Sequence, residues 1–517
     1  TNTITFQSAG ANADSVIWEN TANSSATNYV LKLNGTDHIT LKNLTFKNQG
    51  SSYSQKVVLS GVSDNVTIDS SKFVGPVTNS NNSNNYSSVN GYNCEAAGLK
   101  IKNSTFNDGG GYAILLSGTG SHQTGLEISS NTFTNTYGGI YIVNYDSIIV
   151  RSNTMVGADM YSEGIYLNSC HGANVIEDNS IYCPDMTYGI YIQSCQASAG
   201  SEATIANNLI SVEDNGIYLY QNNYYQNIYY NSVKARDSYA LFTYAGSSNN
   251  TLINNILLTE ASGTPAAYMY NTSVFTSSNY NDFYSGYAYP IYYSGNKTLA
   301  QWQSYGQDPN SVNIDPLFDA DSTLMPTSFT LDNKGTPIAG ITDDINGITR
   351  SDTTPDMGAI EFTVAGSALS GSYTVGSGGD YDSISTALND LSIYGISGPV
   401  TFNILAGTYD DPVALGLVYG ASATNTITVQ SSDANADSVT WESTDNSSGT
   451  NYVLKLNGTD HITLKNITFK NLGTSYSRKI VLSGVTDSVT IENNTFLGYL
   501  GSSSSNHVSL YGSGADA

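Results

Sequence analysis

Basic residues are scarce in this chain. Eighteen Lys and Arg stand against 43 Asp and Glu, for a net charge of −25 at neutral pH. Nucleic acid and anionic membrane surfaces are bound through clustered positive charge, so neither is an expected partner. The same balance disfavours polyanionic sugars unless calcium bridges the charges. Long apolar runs are missing as well. No stretch approaches the ~18 residues a membrane-spanning helix needs, which excludes insertion by that route. Four cysteines are too few for a disulfide framework. Two-His and CxxC metal spacings do not occur. Helical periodicity is nearly absent: only residues 381–392 carry apolar side chains at helical spacing, at Ile384, Ala387, Leu388 and Leu391.

Asn, Ser, Thr, Gly and 39 Tyr dominate instead, with charged residues at only 12%. That is a neutral-polar, β-rich surface. The chain also repeats itself. Residues 1–75 align without a gap with residues 424–498, a period of 423, and roughly three-quarters of the aligned residues are identical. Both copies have ragged limits, as expected for a window cut from a larger tandem array.

A shorter period lies inside the long one. Short alternating segments end in Phe46, Phe73, Phe106, Phe133, Met155, Ile181, Ile210, Val233 and Leu257, at steps of 22–33 residues. Alternation without intervening helix predicts about three short strands per step, stacked as the coils of a parallel β-helix. Asn131, Asn153, Asn179, Asn208, Asn231 and Asn255 each fall two residues before the apolar position. Asn tolerates the left-handed conformation of a sharp turn. Stacked at the ~4.8 Å strand spacing, the six amides are expected to form a hydrogen-bonded ladder. A second column repeats Gly-Ile-Tyr-Ile/Leu at 139–142, 164–167, 189–192 and 216–219. Its isoleucines should face inward, and Tyr141, Tyr166, Tyr191 and Tyr218 should form an outward aromatic stripe.

These columns resemble the right-handed parallel β-helix, or pectin-lyase-like, superfamily. Residues 28–35, 354–362, 373–381, 383–391 and 451–458 further resemble segments of large secreted β-helix proteins of Bacteroidetes-type bacteria. The resemblance implies an all-β, right-handed parallel β-helix solenoid, tandemly duplicated. It implies a β-helix over residues 1–362 that lacks its N-terminal cap and ends in a closing segment at about 315–362. A linker (363–371), an N-terminal cap of the second copy (372–407) and the first rungs of a truncated second β-helix (408–517) follow. If each copy holds ~15 rungs, one period spans on the order of 70 Å.

Activity is a separate question, because this superfamily includes enzymes, adhesins and inert fibres. Polygalacturonase-like enzymes carry Asp pairs, a His-Gly and an Arg-x-Lys on neighbouring rungs, and pectate-lyase-like enzymes carry calcium-binding acids beside a basic residue. Neither set is present. Asp37-His38 and Asp460-His461 sit in Asn-Gly-Thr-Asp-His turns, and His171-Gly172 stands alone.

The strongest acidic cluster is Asp159, Glu163, Asp185, Glu213 and Asp214, just before the Gly-Ile-Tyr strands. It reads as a solvated rim, a calcium site, or a glycosidase carboxylate pair. Asp315, Asp319 and Asp321 form a second calcium candidate. Cys170 and Cys195 occupy equivalent positions one rung apart, as a disulfide or as stacked thiols. The tyrosine stripe reads as an inert β-ladder, a contact with a neighbouring chain, or a sugar-stacking surface.

The expected function is therefore a non-catalytic structural repeat of an extracellular fibre or giant cell-surface protein, self-associating end to end or laterally. The alternatives are a polysaccharide-active β-helix enzyme and a carbohydrate-binding adhesin module. No cofactor other than calcium is expected.

Overall fold

The computed structural model describes residues 2–76, 84–120, 122–158, 160–499 and 506–516. It consists almost entirely of short parallel strands that pair one coil apart. One coil illustrates the plan. Ile149–Arg151, Thr154–Val156 and Glu163–Asn168 pair in register with Val175–Glu177, Ser180–Cys183 and Tyr188–Gln193 of the next coil. We name the three stacked sheets A, B and C in that order. Sheet A holds eleven strands, from Ile4–Gln7 to Phe275–Asn279.

Strand alternation fills the interior with one column per sheet. In sheet A the column runs Leu41, Ile68, Ile101, Ile128, Val150, Ile176, Ile205, Ile228 and Leu252. In sheet B it contains all nine apolar positions named above, and continues to Phe283. Phe73, Phe106 and Phe133 stack with centroids 4.6 and 4.8 Å apart. These distances match the strand spacing itself, so like side chains meet like from coil to coil.

The asparagine column is a continuous ladder. Each Nδ2 donates to the Oδ1 of the next coil: Asn131 to Asn153, Asn153 to Asn179, Asn179 to Asn208, Asn208 to Asn231 and Asn231 to Asn255, all at 2.9–3.0 Å. It extends to Asn281 and ends on the buried carboxylate of Asp308, again at 3.0 Å. One feature differs from the sequence expectation. The ladder asparagines are not the left-handed residues. Their predecessors are: Ser130, Ser152, Asp178, Asn207, Tyr230, Asn254 and Tyr280 have φ between 51° and 62°. The left-handed residue makes the bend, and the amide one position later is turned inward to hold it.

The closing role also moves. A short helix α1 (Leu299–Gln303) and the segment after it plug the end of the first β-helix. Trp302 is buried in the core, and its Nε1 donates to Asp308 at 2.8 Å. Residues 312–364 instead run back along the outside of sheet B and build a separate small core there with Leu209 and Ile256. Arg350 Nη2 donates to Asn207 Oδ1 at 2.9 Å, and Ala359 N donates to Ser232 Oγ at 2.9 Å. Because this flank and the next cap consume chain, the first β-helix has eleven coils rather than ~15, about 50 Å of axis at ~4.8 Å per coil.

A second β-helix begins at Leu369–Val375. Helix α2 (Ile384–Tyr394) lies on its open end, with Ile384, Ala387, Leu388 and Leu391 all buried. Equivalent elements recur one period later: Leu31–Asn34 matches Leu454–Asn457, and Ile39–Lys42 matches Ile462–Lys465. Among the described residues no strand pairs between the two β-helices, and their hydrophobic cores share no residue. They touch where the turn at 284–288 of the first meets a face of the second, and where α2 lies against the turn at 329–331 of the flank, with the Phe329 and Tyr394 rings 5.9 Å apart. Asn457 Nδ2 donates to Gly286 O at 2.8 Å, beside a cavity of about 160 Å³ that Leu417, Asp460 and Gly484 also line.

Candidate functional site

Sheet C places Tyr141, Tyr166, Tyr191 and Tyr218 in register on its outer face. The column continues through Phe242, Tyr268 and Tyr292. Neighbouring rings lie 4.4–5.0 Å apart from Tyr141 to Tyr292. A shorter parallel row, Tyr220, Tyr244 and Tyr270, runs beside it. The three aromatic members beyond Tyr218 lie outside the Gly-Ile-Tyr motif, although alternation at 240–242 was the available signal.

The stripe is not a row of freely exposed rings. Only 8% of Tyr166 is accessible, and its hydroxyl donates to Gln193 Oε1 at 2.8 Å. Tyr112 leans over Tyr141 at 4.9 Å, and its hydroxyl donates to Glu163 at 2.5 Å. In-register rings at the strand spacing cover one another, so each presents an edge and a hydroxyl more than a face. Burial first, and the Glu163 carboxylate second, push the Tyr112 and Tyr141 hydroxyls up. Burial and neighbouring tyrosines push Tyr218 up to about 12. The stripe is therefore a protonated, uncharged hydrogen-bonding surface at neutral pH.

The acidic candidates converge only in part. Asp159 lies outside the described residues. Glu163 is engaged by Tyr112 and by Ser162. Glu213 is raised by desolvation and then by Asp214, Asp185 and Asp237, with Arg236 countering, and Asp214 is raised by desolvation and by Asp237. Asp237 was not singled out from sequence. The second run separates further. Asp321 pairs with Lys234 Nζ at 2.6 Å and Arg236 Nη2 at 2.9 Å, which holds its carboxyl below the usual range. Asp319 accepts the N–H groups of Ala320 and Met325 within its own turn. Asp315 is half-buried beside Tyr284 and accepts Leu317 N–H at 3.0 Å. These acids pin the flanking segment to sheet B rather than meeting at one point. Among the described residues no group of three or more His, Cys, Asp or Glu is placed to hold a metal ion.

Cys170 and Cys195 are free thiols, as are Cys94 and Cys183. In-register positions on parallel coils keep Cβ atoms near the ~4.8 Å coil spacing, wider than the ~3.5–4.5 Å a disulfide spans. The thiols take a ladder role instead: Cys170 N donates to Cys195 Sγ at 3.4 Å, and Cys195 N donates to Asn223 Oδ1 at 3.0 Å.

A family profile described as "Periplasmic copper-binding protein (NosD)" matches residues 110–296. No curated protein matches the chain. A mutant of the PL6 family alginate lyase AlyGC aligns over 96% of this chain and 73% of its own, at 12% identity and TM-score 0.31. The unmutated AlyGC structure aligns over 96% and 70%, at 13% identity and TM-score 0.32.

The matched segment does not present a copper site among its described residues. His122 Nδ1 lies 2.7 Å from Asp146, and His171 Nδ1 accepts Gln196 N–H at 3.2 Å, which leaves the proton on its other nitrogen. The two rings stack at 4.6 Å. Cys183 and Met160 touch at 3.5 Å but are sealed in the core, where burial pushes the thiol up to about 12. From its columns, ladder and pairing, this chain is a right-handed parallel β-helix of the pectin-lyase-like fold.

Proposed function

We propose that the chain is a non-catalytic structural segment of an extracellular or cell-surface protein in which β-helices follow one another along one polypeptide. The observation that carries this reading is the junction. Two β-helices with separate cores dock through the Asn457–Gly286 contact and the packing of α2 on the flank at 329–331 instead of sharing a sheet. The engagement of the carboxylates supports the same reading. Glu163 and Asp321 are committed to hydrogen bonds and ion pairs that hold the fold. The likeness to a family described as periplasmic supports export from the cytoplasm.

One observation favours a second reading. The ring column from Tyr141 to Tyr292 is a continuous uncharged surface suited to a polysaccharide, as in an adhesin or a polysaccharide-active enzyme. Incubating the chain with neutral and acidic polysaccharides separates the readings. The structural reading expects neither retention on the polymer nor release of new chain ends. Retention lost in Tyr141→Ala and Tyr191→Ala would establish the adhesin. Chain-end release lost in Glu163→Gln would establish the enzyme.

A further inference from the structure

The two β-helices do not meet flush. Besides the cavity of about 160 Å³ next to the Asn457–Gly286 contact, a second of about 290 Å³ lies between them. Both are bounded by Tyr284, Asn313, Leu417 and Asn457, so they adjoin. The larger has one wall from each β-helix. The first contributes Tyr284, on the strand Asp282–Ser285, and the start of the flank from Asn313 to Leu317. The second contributes residues 414–417, Tyr419, and Lys455 on the strand Leu454–Asn457.

Each wall carries a polar side chain without a partner. The Asn313 amide makes no hydrogen bond to a described residue, and its Oδ1 is shielded from solvent. Such a group costs free energy until something meets it. Lys455, half-buried on the opposite wall, forms neither an ion pair nor a hydrogen bond with a described residue. Asp315 is already engaged, by Tyr284 and by the Leu317 N–H. Leu317, Leu417 and the Tyr419 ring add apolar surface between the polar groups. Leu417 and Tyr419 remain 41% and 43% exposed in spite of the docking.

This lining asks for a compact ligand with hydroxyls at its rim and C–H surface between them. A hydroxyl donates and accepts at once, so one kind of group satisfies both the amide on one wall and the ammonium on the other. The volume is at the lower limit of ligand pockets, ~300 Å³, which gives room for one sugar ring and not for a chain. We propose that the cavity between the two β-helices is a binding site for a single uncharged hexose unit, held between Asn313 of the first and Lys455 of the second. The site is separate from the tyrosine column, no member of which lines it. It goes beyond the structural reading and needs only that the junction forms. A ligand that touches both walls binds the docked arrangement alone, and therefore tightens the junction.

Isothermal titration calorimetry of the 517-residue chain with D-glucose, D-galactose, D-mannose and D-galacturonate tests this. At least one neutral hexose should bind with one-to-one stoichiometry. Its affinity should fall about tenfold or more in Lys455→Met and in Asn313→Leu, the loss expected when a hydrogen bond to a charged or buried group is removed. Lys455→Arg, which keeps the donor, should retain binding. So should Lys32→Met, at the equivalent exposed position one period earlier. Melting curves identify any variant that has lost the fold. Hydrogen exchange should slow on binding at 313–317 and 414–419. Absence of binding, binding of galacturonate alone, or binding that both cavity variants retain would overturn the proposal. Exchange at 284–288 and 454–457 in the free chain separates this from the structural reading. If those segments are protected, the junction stands without its ligand; if they exchange as open chain, both fall.

Discussion

Asn179 has no exposed surface, yet every polar group of its side chain is used. Its Nδ2 donates to Val150 O, Glu177 O and Asn208 Oδ1, and its Oδ1 accepts from Asn153. Removing that amide strands partners on two coils, each a buried group left unpaired at roughly 1–3 kcal/mol. Asn179→Ala should therefore lower the unfolding free energy by about 3 kcal/mol in denaturant titration, and Asn34→Ala, at the surface, by well under 1 kcal/mol.

Lys56 is the opposite case: fully buried, with no hydrogen-bond partner for Nζ among the described residues. Burial lowers its pKa from 10.5 to about 7, with Asp108 countering only in part. A lowered lysine pKa means that the unfolded chain binds the proton more tightly, so stability rises with pH between the two values. The advantage of Lys56→Met over the wild type should accordingly be largest below pH 7 and shrink as pH rises toward 10.5, read from melting curves across that range. The ladder was legible because period and residue type coincide. The buried lysine was not, since a single Lys before a strand has no periodic partner to mark it, and its counterpart Lys479 lies a full period away.

At the level of elements, helix α2 shows how the solenoid ends are closed. Leu388 and Leu391 sit in the core of the second β-helix. Leu391→Ala should cost about 2–5 kcal/mol. Hydrogen exchange should accelerate in the strands from Ile396–Ile404 onward while the first β-helix keeps its protection. The helix itself was readable from sequence by its 3.6-residue spacing. The plug at α1 was not. It is only five residues long, and its stabilising elements, Trp302 and Asp308, act through the ladder end rather than through a local pattern. The same reason explains the flank at 312–364. Its acids resemble a calcium run in one dimension, but Lys234 and Arg236, more than 80 residues earlier in sequence, turn Asp321 toward sheet B.

For the whole molecule, parallel coils make strand order and core columns almost a direct transcription of the sequence period. The relation between two β-helices is not periodic and depends on the contacts around Gly286 and Asn457 and on those of Phe329 and Lys334 with Tyr394 and Tyr419. Those contacts decide whether the protein is an array or an isolated solenoid. The direct measurement is electron microscopy of the native, unprocessed protein. The account predicts extended particles built of rods about 50 Å long, eleven coils each at ~4.8 Å, repeating along one axis. Discrete particles of one or two rods that do not lengthen with concentration would contradict it.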